Sequence, residues 1–83
     1  MNDQTTINVT VSAFIDGLTT RQKAYQNAIL NGKNATHTKQ DLEQLISIVD
    51  YYLETIRVPF SKNDPLEPLR RARGRAMHTL INN

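Results

Sequence analysis

Between residues 39 and 57 the apolar side chains recur with the period of a helix: Leu42, Leu45, Ile46, Val49, Tyr52, Leu53 and Ile56. Leu42, Val49 and Ile56 are seven apart, and Leu45 and Tyr52 fill the alternate place, so one apolar stripe runs along about four turns. In a strand these residues would scatter over both faces, whereas on a helix they share one face that other helices must cover. Thr38 reads as the N-cap, Asp41 as a first-turn acid facing the positive end of the helix dipole, and Pro59 as the stop, ending the helix at about Arg57 or Val58. This middle helix is expected to be the core element.

Two further stretches offer cover. Over about 12–31, Val11, Phe14, Ile15, Leu18, Tyr25, Ala28 and Ile29 fall on one helical face, and Asn31-Gly32 supplies a C-terminal stop. Gly17 and a capping pattern at Thr19-Thr20-Arg21-Gln22 leave room for a break in this helix. Over about 65–81, Asp64-Pro65-Leu66-Glu67 reads as N-cap, N1 proline and N3 acid, with Pro68 allowing a start three residues later. Leu69, Ala72, Ala76, Met77 and Leu80 mark the buried face of this third helix, and Gly74 weakens its middle. The expected fold is all-α, a small three-helix bundle forming a single domain over residues 1–83, with residues 1–10 disordered or a short strand.

The strand alternative rests on Ile7-Asn8-Val9-Thr10-Val11, which alternates apolar and polar with β-branched residues. With Ile7, Val9 and Val11 inward, Asn8, Thr10 and Ser12 face out together. A polar-faced strand followed by two helices resembles the ribbon-helix-helix dimers, over about residues 6–57, and implies that paired strands read the DNA major groove. The pattern departs from that family in having no basic residue on the strand face, a long first helix and a third helix.

Size limits what such a bundle can do alone. A chain of 83 residues buries roughly 60–65% of the surface its unfolded form exposes. With no cysteine it has neither a disulfide nor a thiolate metal site to add stability, so self-association is the remaining route to more burial. The middle stripe is also too rich for one thin neighbour. Both arguments predict a homodimer. No run of residues approaches the roughly 20 apolar residues of a membrane span, and Met1–Thr6 has neither a basic nor an apolar leader segment. A cytoplasmic protein without membrane contact is expected.

Catalytic patterns are missing. His37 and His78 lie far apart, the three glycines are scattered at 17, 32 and 74, and Asp50 and Glu54 read as a solvated helix edge rather than as a catalytic carboxylate pair. The chain is therefore expected not to be an enzyme, and no catalytic, cofactor-binding or metal-ligating residue is assigned. Charge is more informative. Residues 61–83 carry five Lys/Arg against two Asp/Glu, a net +3, whereas residues 1–60 carry −1. On a helix with about 100° per residue, Arg70, Arg71, Arg75 and His78 lie opposite the apolar face, around Gly74, which would let a partner backbone come close. Guanidinium forks on such a face suit carboxylates or phosphates. Arg73 falls inside the apolar arc. It reads as a stem packed along the core edge with its head in water, or alternatively as the partner of Asp50 or Glu54 across a helix contact. Tyr51, beside the stripe, and Phe60, after Pro59, are candidate interface anchors.

Two functions fit these residues. The first is a non-enzymatic protein–protein interaction module (a small regulator, inhibitor or assembly component) working through a helical surface. The second is nucleic-acid binding by the arginine face, duplicated by dimerisation because three arginines neutralise few phosphates.

Overall fold

The computed structural model describes residues 4–56 and 64–82. Three helices pack against one another, α1 (Gln4–Leu30), α2 (Thr36–Thr55) and α3 (Glu67–Asn82), with no strand among the described residues. The small all-α bundle expected from the apolar periodicity is therefore the fold, and the ribbon-like N-terminus is not. Residues 7–11 belong to α1. Ile7 and Val11 are spaced i, i+4, so a helix buries both (Ile7 is 1% exposed) and leaves Val9 outside at 65% exposure. Burial overrides the strand preference of these β-branched residues. The Thr10 hydroxyl donates to the Thr6 carbonyl at 2.9 Å, so its polar group is satisfied within the helix.

α1 does not break at Gly17. A Cβ built there would lie 3.1 Å from Cδ2 of Leu45, so the glycine makes room for this α2 side chain against α1. The helix stops as its sequence indicates. Gly32 adopts φ +66°, and Lys33 and Gly32 donate their N–H groups back to the carbonyls of Ala28 and Ile29.

α2 starts earlier than its cap signal suggested. The Asn34 side chain, not that of Thr38, organises the entry: its Oδ1 accepts from the Thr36 N–H at 2.9 Å and from the Thr36 hydroxyl at 2.6 Å. Thr38 lies inside the first turn and donates to the Ala35 carbonyl, and Asp41 consequently sits beyond that turn. The helix ends at Thr55, with Ile56 already extended at ψ 136°. At α3, a turn at Pro65-Leu66, held by the Asp64 side chain, precedes a helix from Glu67, so the start falls between the two that the sequence allows. Pro68 falls in the first turn, where a missing N–H leaves no bond unmade.

The middle helix is not the hub. α1 packs along both α2 and α3, which touch each other less. Ile7, Val11, Leu18 and Tyr25 of α1 meet Leu42, Ile46 and Val49 of α2 and Leu69, Ala72 and Ala76 of α3 in one buried cluster. Phe14 and Tyr52 tilt against each other with ring centres 5.2 Å apart. The 27 residues of α1, about 40 Å at 1.5 Å each, dominate the 46 Å long dimension of the molecule.

Candidate functional site

The arginine face is set up at the start of α3. The Asp64 carboxylate accepts from the Leu66 N–H at 2.9 Å and pairs with the Arg70 guanidinium. These two donors, the backbone N–H first and Arg70 second, hold the Asp64 carboxyl below the ordinary carboxylate range. Glu67, one residue into the helix, accepts from Arg71 Nε at 3.1 Å and lies 4.0 Å from Arg70. Leu69, Ala72, Ala76 and Thr79 point into the bundle, and Thr79 satisfies its hydroxyl by donating to the Arg75 carbonyl. This leaves Arg70, Arg71, Gly74, Arg75 and His78 exposed. Nothing lies within 4 Å of a Cβ built on Gly74. The Asn82 amide donates to the His78 carbonyl at 2.9 Å and contacts its ring.

Arg73 forms the contact that the angular reading ranked second. It does not extend freely into water. Its guanidinium grips Asp50 of α2 through both Nε and a terminal nitrogen, the latter 3.2 Å from Oδ2. The hydrogen bond to Asp50 raises the Arg73 pKa above its usual value. Asp50 is thus a helix-to-helix clamp and not part of a solvated edge.

Above that clamp, toward the end of the bundle holding the α2 N-terminus and the α3 C-terminus, α2 and α3 leave between them a groove of about 450 Å³ whose lining includes Ile46, Met77, Leu80 and Ile81, with Lys39, Glu43 and Ser47 on the α2 side. Ile81 stands 75% exposed. Compared with family models, with curated proteins and with solved structures, the chain matches none. Its chemistry must therefore be read from its own residues.

Of the anchors expected from sequence, Tyr51 is 70% exposed on the outward side of α2, and Phe60 lies outside the described residues. The structure brings Arg70, Arg71, Gly74, Arg75 and His78 onto one helix surface, as their spacing requires. Sequence reasoning missed the groove. Met77 and Leu80 were assigned to the core, but α3 presents both at its edge, half-buried beside Ile46. Among the described residues, no three His, Asp or Glu side chains converge as a metal-binding group, and no helix is long and apolar enough to cross a membrane.

Proposed function

We propose that this chain is a non-enzymatic interaction module that docks a protein partner on its α2–α3 side. One observation carries the reading: the α3 arginines are partly neutralised by carboxylates of the same chain and stand beside a groove lined by both apolar and charged side chains. Arg70 and Arg71 share Asp64 and Glu67, Arg73 is held by Asp50, and among the described residues Arg75 has no carboxylate partner. Nucleic-acid affinity comes mainly from releasing counterions at unpaired cations, and internal ion pairs forfeit that gain. Protein interfaces instead combine apolar anchors with a mixed-charge rim in which arginine is common. The groove, with Ile81 and the exposed Tyr51 nearby in the fold, fits that description. Of its polar groups, Asp50 and Arg73 are bonded to each other, and Lys39, Glu43 and Ser47 give the α2 side a polar rim.

The competing reading gives the test its contrast. Fluorescence anisotropy with duplex and single-stranded oligonucleotides, at about 50 and 200 mM salt, should detect no binding that depends on the arginines. A triple Arg70→Ala, Arg71→Ala, Arg75→Ala variant serves as the reference. Pull-down from lysate should recover a protein with the wild-type chain and lose it with the triple variant. Steeply salt-dependent oligonucleotide binding that the triple variant abolishes would replace protein docking with nucleic-acid recognition.

A further inference from the structure

We infer that the partner on the α2–α3 side is a second copy of this chain, in a two-fold dimer where each α2 lies on the other copy's α3. The inference rests on the docking reading above and adds the identity and geometry of the occupant.

Charge selects the arrangement. With the internal Asp50–Arg73 pair set aside, α2 carries Lys39 against Asp41, Glu43 and Glu54, a net −2; α3 carries Arg70, Arg71 and Arg75 against Glu67, a net +2. Asp50 meets Arg73, and the earlier residues Glu43 and Ile46 share the groove with the later Met77 and Leu80, so the two helices run antiparallel side by side, with α1 packed against both. Two such layers can close face to face about a two-fold axis in either of two ways. An axis perpendicular to the helices would stack α2 on α2 and α3 on α3, placing like charge on like. An axis parallel to the helices stacks each acidic α2 on a basic α3, which is electrostatically favoured.

The same axis fixes the register. Rotation about a line parallel to the helices leaves every residue at its own height, so the level of α2 against α3 within one chain is also their level across the dimer. The Asp50–Arg73 contact sets that level. Counting away from it in opposite directions, Glu54 of one copy comes level with Arg70 of the other. Tyr51 falls between Arg70 and Gly74, and Glu43 falls between His78 and Ile81. The outward ridges Glu43, Ser47, Tyr51, Glu54 and Arg70, Gly74, His78, Ile81 have the same spacing and are all exposed in the single chain. They interleave in this register as ridges into grooves. Two otherwise unexplained features then meet: an aromatic ring left 70% exposed, and a helix-interior glycine with open space above it. The glycine weakens its own helix, and in the dimer it makes room for the Tyr51 ring beside the Arg70 guanidinium.

Light scattering and sedimentation over a concentration series test this directly, with circular dichroism to confirm that each variant is folded. The wild-type chain should be a dimer. Gly74→Leu fills space that is empty in the single chain, so it should leave the helices intact and raise the dimer dissociation constant at least about tenfold. Glu54→Arg alone and Arg70→Glu alone should each weaken the dimer, and an equimolar mixture of the two should restore it, because every contact is then opposite in sign. A dimer indifferent to Gly74→Leu and to the charge exchange would overturn this surface. A chain that stays monomeric throughout would overturn the second copy as occupant, while the arginine-dependent pull-down remains the separate test of protein docking.

Discussion

Gly32 lies just past the end of α1 and Gly74 inside α3, and their substitution by alanine should move stability in opposite directions. Gly32 closes α1 at φ +66°, a conformation that costs an L-residue about 1–2 kcal/mol, so Gly32→Ala should destabilise the fold by that amount. Gly74 lies inside α3 with nothing over it, so Gly74→Ala gains helix propensity without a clash, about 0.5–1 kcal/mol. Urea unfolding in dilute solution, where self-association does not contribute, should rank Gly74→Ala above wild type and Gly32→Ala below it. Gly17 falls between the two: alanine there gains the same propensity, but its methyl meets Leu45 Cδ2 at 3.1 Å, so the net gain should be smaller than at Gly74. An equal gain at Gly17 and Gly74 would mean that the Leu45 side chain yields freely to the added methyl. Residue type alone reveals three weak points in helices. Only the surroundings separate a stop, a close approach and an open space.

The helix ends and the contact between α2 and α3 carry predictions of their own. Asp64 holds the entry to α3, and its folded pKa lies below the ordinary 3.8. Its stabilisation is therefore complete above that value and is lost as pH falls through the folded pKa. Asp64→Asn keeps an acceptor for the Leu66 N–H but cannot ionise, so thermal melts across acid pH should show a shallower loss of stability below pH 3.8 than wild type. Asp64→Ala removes the acceptor as well and should cost about 1 kcal/mol even at neutral pH. Asp50 and Arg73 are both partly exposed, so an alanine double-mutant cycle should return a coupling of about 0.5–1 kcal/mol, falling as salt is added. These elements also mark what could be read from sequence. The Asp-Pro-x-Glu run identified the start of α3 because capping chemistry is local. Asn34 was overlooked because Thr38 offered an equally good local signal, and only the adopted turn decides between them. The position of Arg73 in the apolar arc was legible. Its bond to Asp50 was not, because it depends on the register between two helices. The groove was hidden for a similar reason: its walls, Ile46 on α2 and Met77 and Leu80 on α3, are distant in sequence and meet only through the register of the two helices.

At the scale of the molecule, the middle stripe drew attention because it is dense, but density does not make a hub. A hub must reach both neighbours, and α1 does so with 27 residues and buried side chains spread along most of its length, Ile7, Val11, Leu18 and Tyr25. The first of these lies in a segment whose alternation and Thr-rich surroundings favour a strand or a frayed end. Its burial at 1% exposure instead makes the first turns of α1 part of the core. Ile7→Ala should therefore cost about 2–5 kcal/mol, the range for a large-to-small change at a buried site, and should match Leu69→Ala, its fully buried counterpart on α3. Val9→Ala, two residues away and exposed, should change stability by no more than about 0.5 kcal/mol. A domain of this size has only about 4–12 kcal/mol in total, so the loss at Ile7 is a large fraction of what holds the bundle together. Urea titrations of the three variants would decide it, with unchanged slopes showing that the same surface unfolds each time. A cost at Ile7 as small as that at Val9 would mean that the N-terminal turns are peripheral, and that α2, not α1, is the element around which the bundle is built.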